Sequence, residues 1–325
     1  MYQYMYDSKQ SIMYMKSLFF IVSVSVSLLC FAQPGPGLQS FLLKDSIIIT
    51  FDIPGNFNVH NKTITCFYAL PNGNTTAQTF GKKVQPGDDW HFDIQHIGAQ
   101  TQFIRKELKE VNFIVIYLEN VHRSWPLWKQ RHPDFPSRLP ALIDSLSSLF
   151  GKRNRTVYLN GHSGGGSLVF GYLKGIKKIP RWMSRISFID SNYGYDSSYY
   201  PLISRWLKRN KTNALNVFAY NDSVALYKGK PVVSAQGGTW YKSRQLIADL
   251  QKDFVMKEEK EDSMIIYKSK EGRIQFFLKP NPDQRIYHTQ QVELNGFIHS
   301  ILCGTPADSK NYTYYGQRAY NEYLK

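Results

Sequence analysis

The sequence predicts an α/β protein with a mostly parallel central sheet and helices on both faces. Two observations carry this reading. Short β-branched or aromatic runs alternate with amphipathic stretches along most of the chain. One run, Phe113 to Leu118, is apolar without interruption, the pattern of a strand buried on both faces. A third observation points to chemistry. Gly161-His162-Ser163-Gly164-Gly165-Gly166 stands between the apolar run Thr156–Asn160 and the apolar stretch Ser167–Gly175, giving the order strand, glycine-flanked turn, helix.

The elements follow in order. Ser46–Ile53 and Thr63–Leu70 read as strands, bounded by Pro, Gly and Asn. Ile94–Leu108 reads as a helix, Phe113–Leu118 as a strand and Leu139–Phe150 as a helix with Leu142, Ile143, Leu146 and Leu149 on its apolar side. After the Ser163 turn come strands Ile186–Ile189 and Leu215–Tyr220, which run into Asp190 and Asn221-Asp222. Ser243–Phe254 is a helix, Met264–Tyr267 and Ile274–Leu278 are strands, and a helix near Ile298–Leu302 closes the fold. Right-handed crossovers put the loops that follow the parallel strands on one edge. The Trp- and Pro-containing segment 119–140 reads as irregular and could partly cover a site as a small lid. No internal repeat or low-complexity linker divides residues 33–325, so one domain is expected there.

Residues 1–32 differ from the rest. Lys9 and Lys16 precede an apolar run from Leu18 to Leu29, followed by Cys30-Phe31-Ala32. This is the form of a secretory signal peptide cleaved near Ala32, with Gln33 as the mature N-terminus and Met13 or Met15 as alternative starts. The expected location is therefore secreted or periplasmic. The apolar run falls short of the ~20 residues of a spanning helix, so no stable membrane span is expected in the mature form. Ser27-Leu28-Leu29 lacks the small residue that lipoprotein processing at Cys30 wants.

The formal charge is +15; removal of Lys9, Lys16 and Asp7 with the leader lowers it by one, to +14. The basic residues are scattered and no nucleic-acid motif accompanies them, so a solvated basic surface is expected rather than a nucleic-acid partner. An anionic substrate or polymer surface is a secondary reading. Two cysteines, Cys66 and Cys303, remain after the leader; they could pair, or each could be a small buried apolar residue. His91, Asp93 and His96 invite a metal reading, but no second cluster at metal spacing supports it and no metal is expected. His60, His122 and His132 have surface or loop explanations.

A serine nucleophile needs a base and an oriented acid behind that base. Asp222, two residues past the Leu215–Tyr220 strand, is the preferred acid, with Asp190 as its alternate. Two histidines follow the last strand. His299, after a Gly turn at the start of an apolar run, is the preferred base, with His288 as its alternate. The oxyanion donors are expected from the N–H of Gly164 and from Asn72 or Gly73 in the loop after the Thr63–Leu70 strand. His162, Trp125, Trp128 and Tyr193 are candidates for substrate contact.

From about Ile47 to Gly304 the chain resembles the α/β-hydrolase superfamily, on the strength of Gly161-His162-Ser163-Gly164-Gly165, the strand before it and the order Ser, acid, His. The resemblance implies cofactor-free acyl transfer, with a small-molecule or polymer-borne ester as substrate. The loop Pro71-Asn72-Gly73-Asn74 departs from the His-Gly-Gly-Gly form of some esterases, and His299 stands far from the last strand. An esterase is expected first, with acylated carbohydrate among the substrates considered; a serine peptidase or amidase and a non-catalytic binding protein on this fold stay open.

Overall fold

The computed structural model describes residue 35 and residues 37–151, 155–261 and 263–325; the expected signal segment lies outside the described residues. The strands are β1 (Gly37–Leu42), β2 (Ile47–Ile53), β3 (Lys62–Ala69), β4 (Val111–Asn120), β5 (Thr156–His162), β6 (Met183–Ile189), β7 (Ala214–Tyr220), β8 (Leu226–Tyr227), β9 (Lys230–Pro231), β10 (Met256–Glu261), β11 (Met264–Ser269) and β12 (Ile274–Lys279). The helices are α1 (Thr76–Phe80), α2 (Ile97–Glu107), α3 (Trp125–Arg131), α4 (Phe135–Ser148), α5 (Gly166–Lys174), α6 (Tyr200–Arg209), α7 (Thr239–Leu250), α8 (Gln290–Glu293) and α9 (Gly296–Leu302).

Ten strands form one sheet in the order β1-β2-β4-β3-β5-β6-β7-β12-β11-β10. From β4 to β12 every neighbouring pair is parallel; β1, β2, β11 and β10 add antiparallel margins. Alternate strand residues feed two cores. Phe67, Leu159, Phe188 and Val217 point to the face covered by α4, α5, α6 and α7, with Leu139, Leu168, Trp206 and Leu246 from those helices. Cys66, Tyr68, Phe113 and Phe218 point to the opposite face, covered by α2 and α9 through Ile97, Phe103, Phe297 and Ile301. The mostly parallel sheet with helices on both faces follows from this alternation.

Four parts of the chain differ from the sequence reading. The segment 119–140 is not irregular: β4 runs through Asn120, two of its prolines start helices, and Pro140 lies inside α4. Ser124 caps α3 by accepting from the Leu127 N–H, and Pro126 and Pro136 sit in first turns, where a missing N–H costs nothing. Strand β10, Met-Lys-Glu-Glu-Lys-Glu, carries no apolar alternation because it is an exposed edge, where charge discourages pairing with another chain. Helix α6 was hidden by its many basic and aromatic residues; its apolar stripe of Ile203, Trp206 and Leu207 is short but buried. The edge strand β1 was likewise hidden, since only alternate residues are partly covered.

Among the described residues no helix is long and apolar enough to cross a membrane. Cys66 and Cys303 are both free and buried, and burial pushes both thiols up from their ordinary range.

Candidate active site

The turn between β5 and α5 is built by close approach. Ser163 has φ of 53°, the left-handed region that a side chain other than glycine adopts only at a cost. A Cβ on Gly161 would stand 2.8 Å from the carbonyl carbon of Gly165, and one on Gly165 would collide with the carbonyl oxygen of Ala69 at the end of β3. Glycine at these two positions lets the strand, the turn and the neighbouring strand pack together. The loop after β6 locks the turn from the other side, where the Ser191 hydroxyl donates to the Gly161 carbonyl at 2.8 Å. Ser163 and Gly164 are left partly exposed while Gly161, His162 and Gly165 are buried.

Asp190 directly follows β6, and His288 lies in the loop that follows β12. Their side chains meet: His288 Nδ1 is 2.5 Å from Asp190 Oδ2. Asp190 is fully buried and His288 keeps 24% of its side chain exposed. The other Asp190 oxygen accepts from the Thr239 hydroxyl at the first residue of α7. The His288 ring stacks on the ring of His162, the residue before Ser163, with centroids 4.7 Å apart. His162 Nε2 also lies 3.3 Å from the His288 carbonyl oxygen. This brings the acid–imidazole pair beside the turn that carries Ser163.

The first choices of acid and base occupy other places. Asp222 is buried at the N-terminus of α7, where its carboxylate accepts from the backbone N–H of Thr239 at 2.7 Å and of Trp240 at 3.3 Å. Burial first, then the nearby Asp190 carboxylate, raises its pKa to about 6. It caps a helix and does not reach a histidine among the described residues. His299 sits inside α9, 4% exposed, with Nδ1 2.8 Å from the Tyr312 hydroxyl and its ring stacked on Tyr314. Burial lowers its pKa to about 4, which makes it a neutral core imidazole and a poor base. Helix α9 is held under β5, β6 and β7 by polar contacts from Asn160, Ser187 and Asn216 to Ser300, which turns His299 into the core.

The expected oxyanion donors are constrained differently. Gly164 follows Ser163, and a Cβ there would collide with the Asn72 side chain, so the loop after β3 lies directly against the turn. The Gly73 N–H is already given to the Arg123 carbonyl at 2.8 Å, which removes Gly73 as a free donor. The Asn72 N–H has no partner among the described residues.

The other candidates divide as well. Tyr193 is half-buried in the turn after Asp190, near both Asp190 and Asp222, and burial followed by those charges pushes its hydroxyl well above its ordinary range. Trp125 and Trp128 pack edge-to-face against each other with centroids 5.6 Å apart and are 1% and 0% exposed. They are core residues, drawn inward as α3 folds onto α5, and cannot contact a ligand there. His162 is also buried; its partner is His288. The metal candidates separate into two pairs, His91 with Asp89 at 2.6 Å and His96 with Asp93 at 2.8 Å. Among the described residues no group of three or more ligating side chains comes together.

Two residues that sequence reasoning passed over matter here. Thr239 follows Gly237-Gly238 at a helix start and bridges Asp190 to Asp222. Asn281 lies between two prolines, and its side chain ties the loop of His288 together through the Asn221 carbonyl at 3.0 Å, the Arg285 carbonyl at 2.7 Å and the Arg285 N–H at 3.0 Å. The Pro-Asn-Pro sequence signals an ordered turn, but nothing in it signals which loop the turn serves.

No family model matches the chain, and no curated protein matches it. Among solved structures it is similar to a thermostable esterase at 18% identity, over 82% of this chain and 63% of that one, with a TM-score of 0.48. The chain thus spans less than two thirds of that protein. It is similar to an acetyl xylan esterase from Aspergillus awamori at 11% identity, over 75% of this chain and 92% of that one, with a TM-score of 0.41. It is similar to the feruloyl esterase module from Clostridium thermocellum complexed with sinapinate at 10% identity, over 81% of this chain and 88% of that one, with a TM-score of 0.45. The strand order of this chain and its strand–Ser163–helix turn give it the α/β-hydrolase fold.

Proposed function

We propose that this protein is a serine hydrolase that cleaves an ester through Ser163, His288 and Asp190. The observation that carries the reading is the 2.5 Å contact of His288 Nδ1 with Asp190 Oδ2, beside a serine held at positive φ. Asp190 fixes the imidazole with its Nδ1 protonated, which leaves Nε2 as the basic nitrogen. Ser163 Oγ attacks the ester carbonyl carbon as His288 Nε2 takes the hydroxyl proton. The same proton passes to the leaving alkoxide as the C–O bond breaks. Water then attacks the acyl-enzyme by the same route, and Ser163 is released protonated. The N–H groups of Gly164 and Asn72 are the donors to the oxyanion. Tyr193 lines the substrate side.

The sequence reading supports secretion after cleavage near Ala32, with residues 33–325 as one catalytic domain; Gln33–Lys325 also cluster as one unit by internal contacts. The substrate is a small-molecule or polymer-borne ester. A fluorophosphonate probe should label the wild type and fail to label Ser163→Ala. Labelling of Ser163→Ala would overturn the reading. Aryl esters should be cleaved well ahead of aminoacyl anilides; the reverse order would make it an amidase.

A further inference from the structure

We propose that the groove between the β8–β9 hairpin and the loop of His288 is a subsite for an acidic polysaccharide that carries the scissile ester. This rests on the hydrolase reading and names its substrate class.

The groove has a volume of about 490 Å³ and is lined by Tyr227, Lys228, Lys230, Pro231, Val232 and Ile286. It adjoins the proposed site through the chain itself. Ile286 stands two residues before His288, and the hairpin begins a few residues after Asp222. The Leu226 N–H donates to the Gln284 carbonyl at 3.0 Å, which fastens the hairpin to the His288 loop. The hairpin is stiff. Lys228 and Gly229 have φ of 51° and 75°, the two left-handed residues of a two-residue turn whose twist matches the strands. Both lysines are therefore presented from a fixed frame.

The surface there is apolar and basic together. Tyr227 is 60% exposed, and Leu226 and Ile286 are each 41% exposed. Exposed apolar side chains grouped beside a site call for an explanation that scattered ones do not. No carboxylate pairs with Lys228 or Lys230 among the described residues; Lys228 Nζ lies over the Tyr227 ring instead. The carboxylate on the neighbouring loop, Asp283, is already engaged by Arg285 at 3.8 Å and by the Tyr287 hydroxyl. Asp222 is buried and committed to α7. The groove thus offers positive charge with no carboxylate partner along an apolar wall, beside the exposed Tyr227 whose ring carries Lys228 Nζ at 5.4 Å from its centroid. A chain of uronic-acid units meets these features at once: its carboxylates suit the lysines, and the apolar faces of its sugar rings suit Tyr227 and Ile286.

The test compares acetylated polygalacturonate with the same polymer after methyl esterification of its carboxyls, using 4-nitrophenyl acetate as the reference ester. The wild type should prefer the acidic polymer by about tenfold in kcat/KM at low salt, and added salt should erase the preference. In Lys228→Glu/Lys230→Glu, the ratio of kcat/KM on the acidic polymer to kcat/KM on 4-nitrophenyl acetate should fall by about tenfold. Equal rates on the two polymers, no deacetylation of either, or an unchanged ratio in the variant would overturn the subsite. So would loss, in the variant, of binding to phosphatidylglycerol vesicles with no polymer preference in the wild type, which would assign the groove to a membrane surface. Fluorophosphonate labelling of Ser163 reports separately, so failure of the subsite and failure of the hydrolase reading are distinguishable.

Discussion

Asp190 and His288 are 98 positions apart in sequence and 2.5 Å apart in space. Neither the strand that leads into Asp190 nor the loop that holds His288 carries a local mark of the other. The contact arises because β6 and β12 flank β7 in the same sheet and both deliver their following loops to one edge. A buried carboxylate held against an imidazole serves first to orient the ring and fix its tautomer.

The first prediction concerns the choice of base and acid. His288→Ala and Asp190→Asn should each lower kcat by about 10⁴-fold. His299→Ala should keep kcat within a few-fold while losing about 2 kcal/mol of stability, because it empties a core position between Tyr312 and Tyr314. Steady-state kinetics with an aryl ester and urea unfolding separate the two effects. Loss of activity in a folded His299→Ala with retention in His288→Ala would reverse the assignment.

A second prediction concerns Thr239, whose hydroxyl donates to the Asp190 oxygen that faces away from His288. Thr239→Val should reduce kcat by about tenfold with KM little changed, since the acid loses one of its two holds. Thr239→Ser should restore most of the rate. In an Asp190→Asn background Thr239→Val should have no further effect, because the two act as one unit. Additive losses would make Thr239 a structural cap alone.

The third prediction is a dependence of stability on pH. Asp222 has its pKa raised from 3.8 to about 6 by burial and by Asp190. The folded state therefore holds a proton that the unfolded chain has given up between about pH 4 and pH 6. Its stabilising effect is present at low pH and is lost as pH rises through about 6. Relative to Asp222→Asn, the wild type should gain on the order of 2 kcal/mol as pH falls from 7 to 4.5. Parallel unfolding curves for the two proteins across that range would contradict the shift.

A fourth prediction follows from the packing of the turn. Gly165→Ala puts a Cβ into the Ala69 carbonyl, which is backbone of β3 and has little room to yield. The variant should lose Ser163 labelling by a fluorophosphonate even where circular dichroism still reports a folded chain. Full labelling would mean that the turn relaxes without cost.

The sequence by itself determined the sheet class and the Ser163 turn, because both are written locally. Period-two and continuous apolar runs specify which strands are buried, and Gly161 answers to a close approach that its own turn creates, while Gly165 answers to the end of β3. It did not determine which acid and which imidazole meet. Asp190 and Asp222 both follow parallel strands, and His288 and His299 both follow β12, so position alone left two acids and two bases open. Tertiary structure separated each pair through burial and docking. Asp222 is taken up by the N-terminus of α7, and His299 is turned into the core by the polar anchoring of α9 on β5, β6 and β7. A separate docking, of α3 onto α5, buried Trp125 and Trp128, which the sequence offered as contacts for a ligand. A side chain's chemistry is local, but whether solvent, a helix end or another side chain meets it depends on contacts between segments far apart in the chain.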